Sequence, residues 1–371
     1  SMATDMETQR VRPEDDEIDL AQLVNLLIDG WQLIVGAVVA ALVLAGAYLL
    51  LTTPQYEATF RASPAASSNF SGMNLLSGFS VSPKDAYTTL GNRLSSFQNF
   101  ERYVENHRDD FEIPDEASLA RVFANRFEIA GLTSDVSGST ELSLTYRYPE
   151  GEVGNENLNG YIEATAERVW EELKNRFARA NQAQIASLNT REDVGEDKLI
   201  AERQHRLFAL NNAINTAHAL GIESPTTPQE FGQLNPEKEV IYASLSGNGA
   251  LPLYFMGYQT LEAERKTLKN QMQEGLSNGT LRNTREELNR RAQIAAMLNK
   301  DSFYPLEEGV SNYPDERVVN VIERAYPEDD PVKPRTMLVL ALAVVLGGML
   351  GVMAVFMRAG MGAVLRQRRA T

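Results

Sequence analysis

Two stretches of this chain run uniformly apolar, and they stand near its two ends. Leu33 to Leu51 and Met337 to Met357 contain no charged residue. The second holds 21 residues, and at about 1.5 Å per residue such a helix covers the roughly 30 Å of bilayer hydrocarbon. Core helices of soluble proteins are rarely so apolar all round. Trp31 precedes the first run and Tyr48 lies near its far end, the positions where amphipathic rings favour the membrane interface. A cleaved signal peptide fits the first run less well, because its leading segment is acidic and no A-x-A-like site follows. The pattern predicts two transmembrane helices.

Between them the pattern shortens. "QYEATFRAS" alternates Tyr56, Ala58 and Phe60 and reads as a strand. A Ser- and Gly-rich loop follows, up to Ser82 and Pro83, which fit the N-cap and first position of a helix. That helix carries Tyr87, Leu90, Leu94, Phe97 and Val104 at helical spacing. A shorter helix is expected around Glu116 to Asn125, then strands at "RFEIAGLT" and "TELSLTYRY". "DERVVNVIERAYP" reads as a strand returning to pair with the first.

From about Asn157 to Ala219 no proline occurs, and glycine appears only at Gly160 and Gly195. Leu158, Ile162, Ala166, Val169, Leu173, Phe177, Ala180 and Leu188 form one stripe, which Leu199, Leu207, Leu210, Ile214 and Ala217 extend. One near-continuous helix of that length would run roughly 90 Å. The alternative is two stacked helices broken at "REDVGEDK" around Gly195. Either way the stripe needs other helices, from the same chain or from neighbours. Candidates begin near Leu253 and at "LRNTREELNRRAQIAAMLNK". The intervening "GIESPTTPQEFGQLNPEKEVIYASLSGNGALP" reads as a loop at the far tip.

The predicted architecture is thus an α+β membrane protein. A segment at 1–30 leads to a transmembrane helix at 31–53. An exterior domain at 54–334 has an α/β base (54–155 and 300–334) and a very long helix with its tip (156–299). A second transmembrane helix at 335–357 leads to a tail at 358–371. Two spans place both termini on one side. The tail holds Arg358, Arg366, Arg368 and Arg369 and no acid, so the positive-inside rule makes that side cytoplasmic.

Charge and composition narrow the chemistry. The net charge is −15, of which residues 54–357 carry −13. Such a surface repels phosphate backbones, so no nucleic-acid partner is expected. The absence of cysteine removes disulfides, thiolate metal sites and cysteine nucleophiles. His107, His205 and His218 share no metal-binding spacing, and there is no nucleophile elbow or phosphate loop. Acid pairs such as Glu171 and Glu172 sit on predicted helix faces and read as solvated surface rather than a glycosidase pair. The acidic "PEDD" at 327–330 reads as a solvated membrane-proximal linker. No catalytic residue, cofactor or metal is predicted, and the chain is not expected to be an enzyme.

The residues before the second span carry more information. Pro327, Pro331 and Pro334 crowd its approach, and Gly347 and Gly351 lie four residues apart within it. Proline fixes φ and lacks an N–H, so the approach is a stiff connector and a clean helix start. The glycines share one helix face and allow close backbone approach, most simply to the first span of the same chain.

Spaced prolines before a G-x-x-x-G span, "LPLYFMGYQTLEAE" at 251–264 and "DEIDLAQLVNLLIDGW" before the first span resemble the polysaccharide co-polymerases, the Wzz chain-length regulators of O-antigen. The resemblance covers nearly the whole chain, with three prolines where some members carry more. It implies a regulator without catalysis of its own in the bacterial inner membrane, with its large domain in the periplasm. It implies a homo-oligomer, an octamer-like ring with an α/β base and long helices. The implied partners are the O-antigen polymerase and the growing O-antigen polysaccharide, whose modal length the ring sets. A regulator or export scaffold for another surface polysaccharide, common antigen or exopolysaccharide, is the alternative. The missing phosphate loop and short tail speak against the relatives that carry a tyrosine-kinase domain. In this scheme Pro327, Pro331 and Pro334 couple the base to the membrane. Gly347 and Gly351 pack the spans, and Val169, Leu173 and Phe177 on the long helix pack in the assembled ring.

Overall fold

The computed structural model describes residues 20–115, 117–132, 140–234, 251–298 and 313–370. Residues 1–19 of the N-terminal segment, 235–250 of the tip loop and 299–312 lie outside the described residues. The chain forms two compact units, 1–64 with 88–165 and 320–371, and 65–87 with 166–319.

In the first unit, α1 (Leu20–Asp29) leads into α2 (Trp31–Leu51), the first span. Strand β1 (Gln55–Pro64) begins four residues later. It pairs antiparallel with β3 (Leu142–Pro149), which pairs antiparallel with β2 (Phe127–Ala130). With β4 (Val319–Glu323) the sheet order is β2-β3-β1-β4, so the last strand lies beside the first, as the pattern predicts. The register sets Ala58 opposite Tyr146, Phe60 opposite Leu144 and Ala62 opposite Leu142. All six are buried. Period-two alternation puts all six on one face, with Ala58 and Ala62 opposite larger residues and Phe60 opposite Leu144.

An aromatic layer covers that face. Phe100 of α4 (Phe97–Asn106) meets Phe127 edge-on at 5.0 Å, and Phe127 stacks on Tyr146 at 4.5 Å. Tyr161, on the first turns of the long helix, meets Phe100 at 5.7 Å. Burial pushes the phenol of Tyr103 up to about 12.

Ser82 caps α3 (Pro83–Leu94) as its sequence predicts. Its hydroxyl accepts from the Asp85 N–H at 3.1 Å, and the Asp85 carboxylate accepts from the Ser82 N–H at 3.0 Å. These bonds hold the Asp85 carboxyl below the usual range. The predicted single helix through Val104 is two. α3 ends at Leu94, and Ser96 is extended (φ −82°, ψ 122°) as the N-cap of α4. Gly91 O accepts both from Ser95 N–H at 3.1 Å and from Ser95 Oγ at 2.8 Å, a back-bonding that helix-interior serines make.

The long helix α6 is unbroken from Gly154 to Leu220, 67 residues or about 100 Å of helix. It does not break at Gly195. There the missing side chain admits Leu281, whose Cδ2 would lie 3.0 Å from a Cβ. Arg285 bonds Glu192 at 2.9 Å and Glu196 at 2.6 Å, on either side of the glycine. The helix ends where Gly221 turns left-handed (φ +71°) and Ile222 N–H bonds Ala217 O at 2.8 Å, a Schellman closure.

The second unit builds its core on this helix. Val169, Leu173 and Phe177 are buried, as are Phe70, Met73, Leu76 and Val81 of the loop after β1, and Phe70 meets Trp170 at 6.3 Å. Phe79 meets Phe177 edge-on at 5.7 Å. Farther along, Leu210, Ala213 and Ile214 pack with Leu261 and Leu268 of α8 (Tyr258–Glu274). The predicted tip loop contains a short helix, α7 (Pro228–Leu234), anchored by buried Phe231 against Phe255. Helix α9 (Gly279–Met297) is capped by Asn278, whose side chain accepts from Leu281 N–H at 2.8 Å. Its Arg291 is buried, bonding Ser77 O at 3.0 Å and pairing with Glu287 at 2.9 Å. A short α10 (Asp315–Val318) precedes β4, and α11 (Thr336–Arg369) carries the second span.

Candidate coupling site at the membrane

The two chain crossings between membrane and base are tied together. Gln55 opens β1, and its N–H donates to Lys333 O at 2.9 Å. Gln55 O in turn accepts from Val332 N–H at 2.8 Å and from Lys333 N–H at 3.3 Å. The connector thus meets the end of β1 as an isolated antiparallel bridge. Pro331 and Pro334 flank the bridging pair. Their missing N–H groups leave Val332 and Lys333 as the donors between them, and their fixed φ keeps this stretch extended. Pro327 lies four residues earlier, beyond Ala325, whose N–H donates to Asn159 Oδ1 at 3.0 Å while its carbonyl accepts from Asn159 Nδ2 at 2.9 Å. The connector is held by the base at both ends.

Beyond the connector, α11 packs along α2. Its buried residues are Ala343, Gly347, Gly351 and Val355, one every four residues. A Cβ on Gly347 would lie 2.9 Å from Val38 Cα and 2.9 Å from Ala41 Cβ. One on Gly351 would lie 2.7 Å from Ile34 Cα. Gly348, one residue from Gly347, would meet nothing within 4 Å. The face is therefore specific, and backbone approach across it requires glycine. At its end the relation reverses: a Cβ on Gly30 would lie 2.6 Å from Val355 Cγ2. Ala343, Val355 and Gly30 complete a seam that the two glycines alone mark in the sequence. The helix also runs past Met357 to Arg369. Nothing in "RAGMGAVLRQRR" stops it, and three arginines in its last turn suit the negative end of the helix dipole.

Val169, Leu173 and Phe177 belong to the second unit. Each is at most 1% exposed within a single chain, where Phe177 meets Phe79 edge-on at 5.7 Å. The segment at 65–82, which its Ser and Gly content marks as a loop, brings Phe70 against Trp170 and Phe79 against Phe177 of the long helix.

Sequence reasoning also missed Glu152. Its fully buried carboxylate accepts from Tyr146 Oη, from Asn157 Nδ2 at 2.9 Å and from Glu112 N–H at 3.1 Å. Arg126 approaches it at 3.4 Å. Burial outweighs these donors and raises its pKa, and burial raises that of Tyr146 as well. Every oxygen is partnered and the group faces core, so it locks the β3–α6 turn rather than offering acid chemistry. Among the described residues no cluster of His, Asp and Glu could hold a metal ion.

Comparison with known proteins bears on the same segments. Residues 16–108 match the Wzz family, chain length determinant protein. Residues 310–360, connector and second span, match the GNVR family, a G-rich domain described for tyrosine kinases. No curated protein matches the chain. Among solved structures, a full-length bacterial polysaccharide co-polymerase shares the fold. It superposes with TM-score 0.62 at 18% identity, over 93% of this chain and 99% of the other. The wild-type Shigella flexneri lipopolysaccharide O-antigen chain-length regulator WzzBSF matches at TM-score 0.47 and 13% identity, over 75% of this chain and 99% of its own. A Wzz dodecamer fitted to a cryo-EM map matches at TM-score 0.41 and 13% identity, over 75% and 98%.

Proposed function

We propose that this chain, a Wzz-type polysaccharide co-polymerase by its domain and fold, sets the modal length of lipopolysaccharide O-antigen as an oligomeric scaffold. The observation that carries the reading is the chain length determinant match over 16–108, the segment that includes the first span and β1. A regulator of this kind needs no catalytic group of its own. It presents a fixed surface to a polymerase and to the polymer.

In this reading the protein lies in the inner membrane with both termini cytoplasmic and the 54–334 domain periplasmic. The basic tail supports that orientation. Copies assemble as a ring, octamer-like in size, beside the O-antigen polymerase. Pro327, Pro331 and Pro334 transmit the orientation of the base to the seam at Gly347 and Gly351, because the connector is stiff and bonded to β1 through Gln55.

The test is a lipopolysaccharide gel of a strain lacking this gene, with and without the gene restored. Bands clustered at one length on restoration support the reading. An identical unregulated ladder in both means that the polymer is not O-antigen, and moves the same scaffold to common antigen or exopolysaccharide.

A further inference from the structure

The membrane-proximal face of the base carries a pocket of about 390 Å³. It is lined by α5 (Leu119–Arg126), the end of β3, Gln55 and Lys333. Four cations border it: Arg121, Arg126, Arg147 and Lys333. Two are already answered by acids. Arg126 faces Glu152 at 3.4 Å, and Arg147 faces Glu57 at 3.5 Å and Glu128 at 3.8 Å. Arg121 and Lys333 are exposed and pair with no acid among the described residues. Acids near the pocket in sequence include Asp115, between the lining residues Pro114 and Ala117, and Asp330; the Glu328 backbone bonds the hydroxyl of Tyr148. Asn125 and Gln55 add neutral donors to the lining.

The position of the pocket selects its ligand. Helix α2 has 21 residues, about 31 Å of helix, which matches the hydrocarbon thickness. Its end at Leu51 therefore lies at the hydrocarbon boundary. Gln55 follows by four residues and Lys333 precedes α11 by three, each within about 14 Å of a span end even if fully extended. The headgroup region occupies that depth. Two cations without an acidic partner among the described residues, one a forked guanidinium suited to phosphate oxygens, open at the level of lipid phosphates.

We infer that this pocket binds the headgroup of an anionic phospholipid, with Arg121 and Lys333 on the phosphate and Gln55 and Asn125 as neutral donors. The bound lipid would pin the base to the membrane surface beside the proline connector. The inference rests on the two spans and stands apart from the chain-length reading.

The test uses the full chain in mild detergent, titrated with short-chain phosphatidylglycerol or phosphatidylcholine and read by native mass spectrometry. Wild type should prefer phosphatidylglycerol. The double variant Arg121→Ala/Lys333→Ala should lose about tenfold in that affinity and fall to the phosphatidylcholine level. The charge-matched Lys198→Ala/Lys269→Ala should keep it. Equal binding by the Arg121/Lys333 variant, or equal loss by the control, overturns the inference. So does full displacement by millimolar inorganic phosphate, which would make the site one for free anions. Breakdown of the oligomer in the Arg121/Lys333 variant also overturns it, by assigning these cations to a contact between copies.

Discussion

Gln55 and Lys333 hold each other through their backbones, 278 positions apart in sequence, with Gln55 N–H on Lys333 O at 2.9 Å. One residue opens the strand after the first span and the other closes the connector before the second. We expect a tilt or rotation of the base to move both membrane helices together. Val332→Pro removes the N–H that donates to Gln55 O at 2.8 Å while keeping the stretch extended. We expect a folded, inserted protein whose connector amides between 328 and 335 lose protection in hydrogen exchange, with the helix seam unchanged.

The seam itself should discriminate between neighbouring glycines. Gly347→Leu places side-chain atoms against the Val38 backbone, and overpacking of this kind costs about 1–3 kcal/mol. Gly348→Leu faces open space and should cost little. Thermal unfolding in detergent should show a lowered midpoint for the first and a wild-type midpoint for the second.

Leu173 offers a test of where the stripe of the long helix is used. It is 1% exposed in one chain, so Leu173→Ala should destabilise the protomer by about 2–5 kcal/mol. Phe208, on the same helix, is 66% exposed. Phe208→Ala should leave protomer stability within about 0.5 kcal/mol of wild type. Denaturant titration of the two variants checks both.

Glu152 should give the base a pH signature. Its pKa is raised in the folded state by burial, so the folded protein holds a proton that the unfolded chain releases. Its contribution is full below the unfolded carboxylate value and is lost as pH rises through the higher folded value. Glu152→Gln removes the titration and leaves Arg126 and Glu112 N–H facing an amide donor. The wild-type advantage over this variant should be largest at acid pH and shrink through that window, as read by unfolding midpoints across pH.

Much of this architecture is legible in the sequence because its signals are local. An uncharged apolar run gives each span, alternation gives β1 and β3, and the absence of proline gives α6. Ser82 and Pro83 announce α3 through the chemistry of a cap. The misses have a common cause. The helix ends at Leu94 although its apolar spacing runs on, since an extended Ser96 as N-cap of the next helix leaves no trace in periodicity. The loop at 65–82 buries Phe70 although its composition is that of a turn, because Trp170 of the long helix meets it. At the coupling site the prolines and glycines stood out by type. The Gln55–Lys333 bond runs through backbone atoms, which any residue carries, and Val355 meeting Gly30 depends on the helices' relative register. Glu152 carries no sequence signal of its own, because only the fold brings Tyr146, Asn157 and Arg126 around it.

The most direct measurement is the O-antigen ladder of the deletion strain restored with wild type, with Gly347→Leu or with Gly348→Leu, at matched protein levels. If a base coupled to a packed helix pair sets length, wild type and Gly348→Leu give one modal cluster, and Gly347→Leu gives a shifted or unregulated ladder. A normal cluster from Gly347→Leu would contradict the coupling.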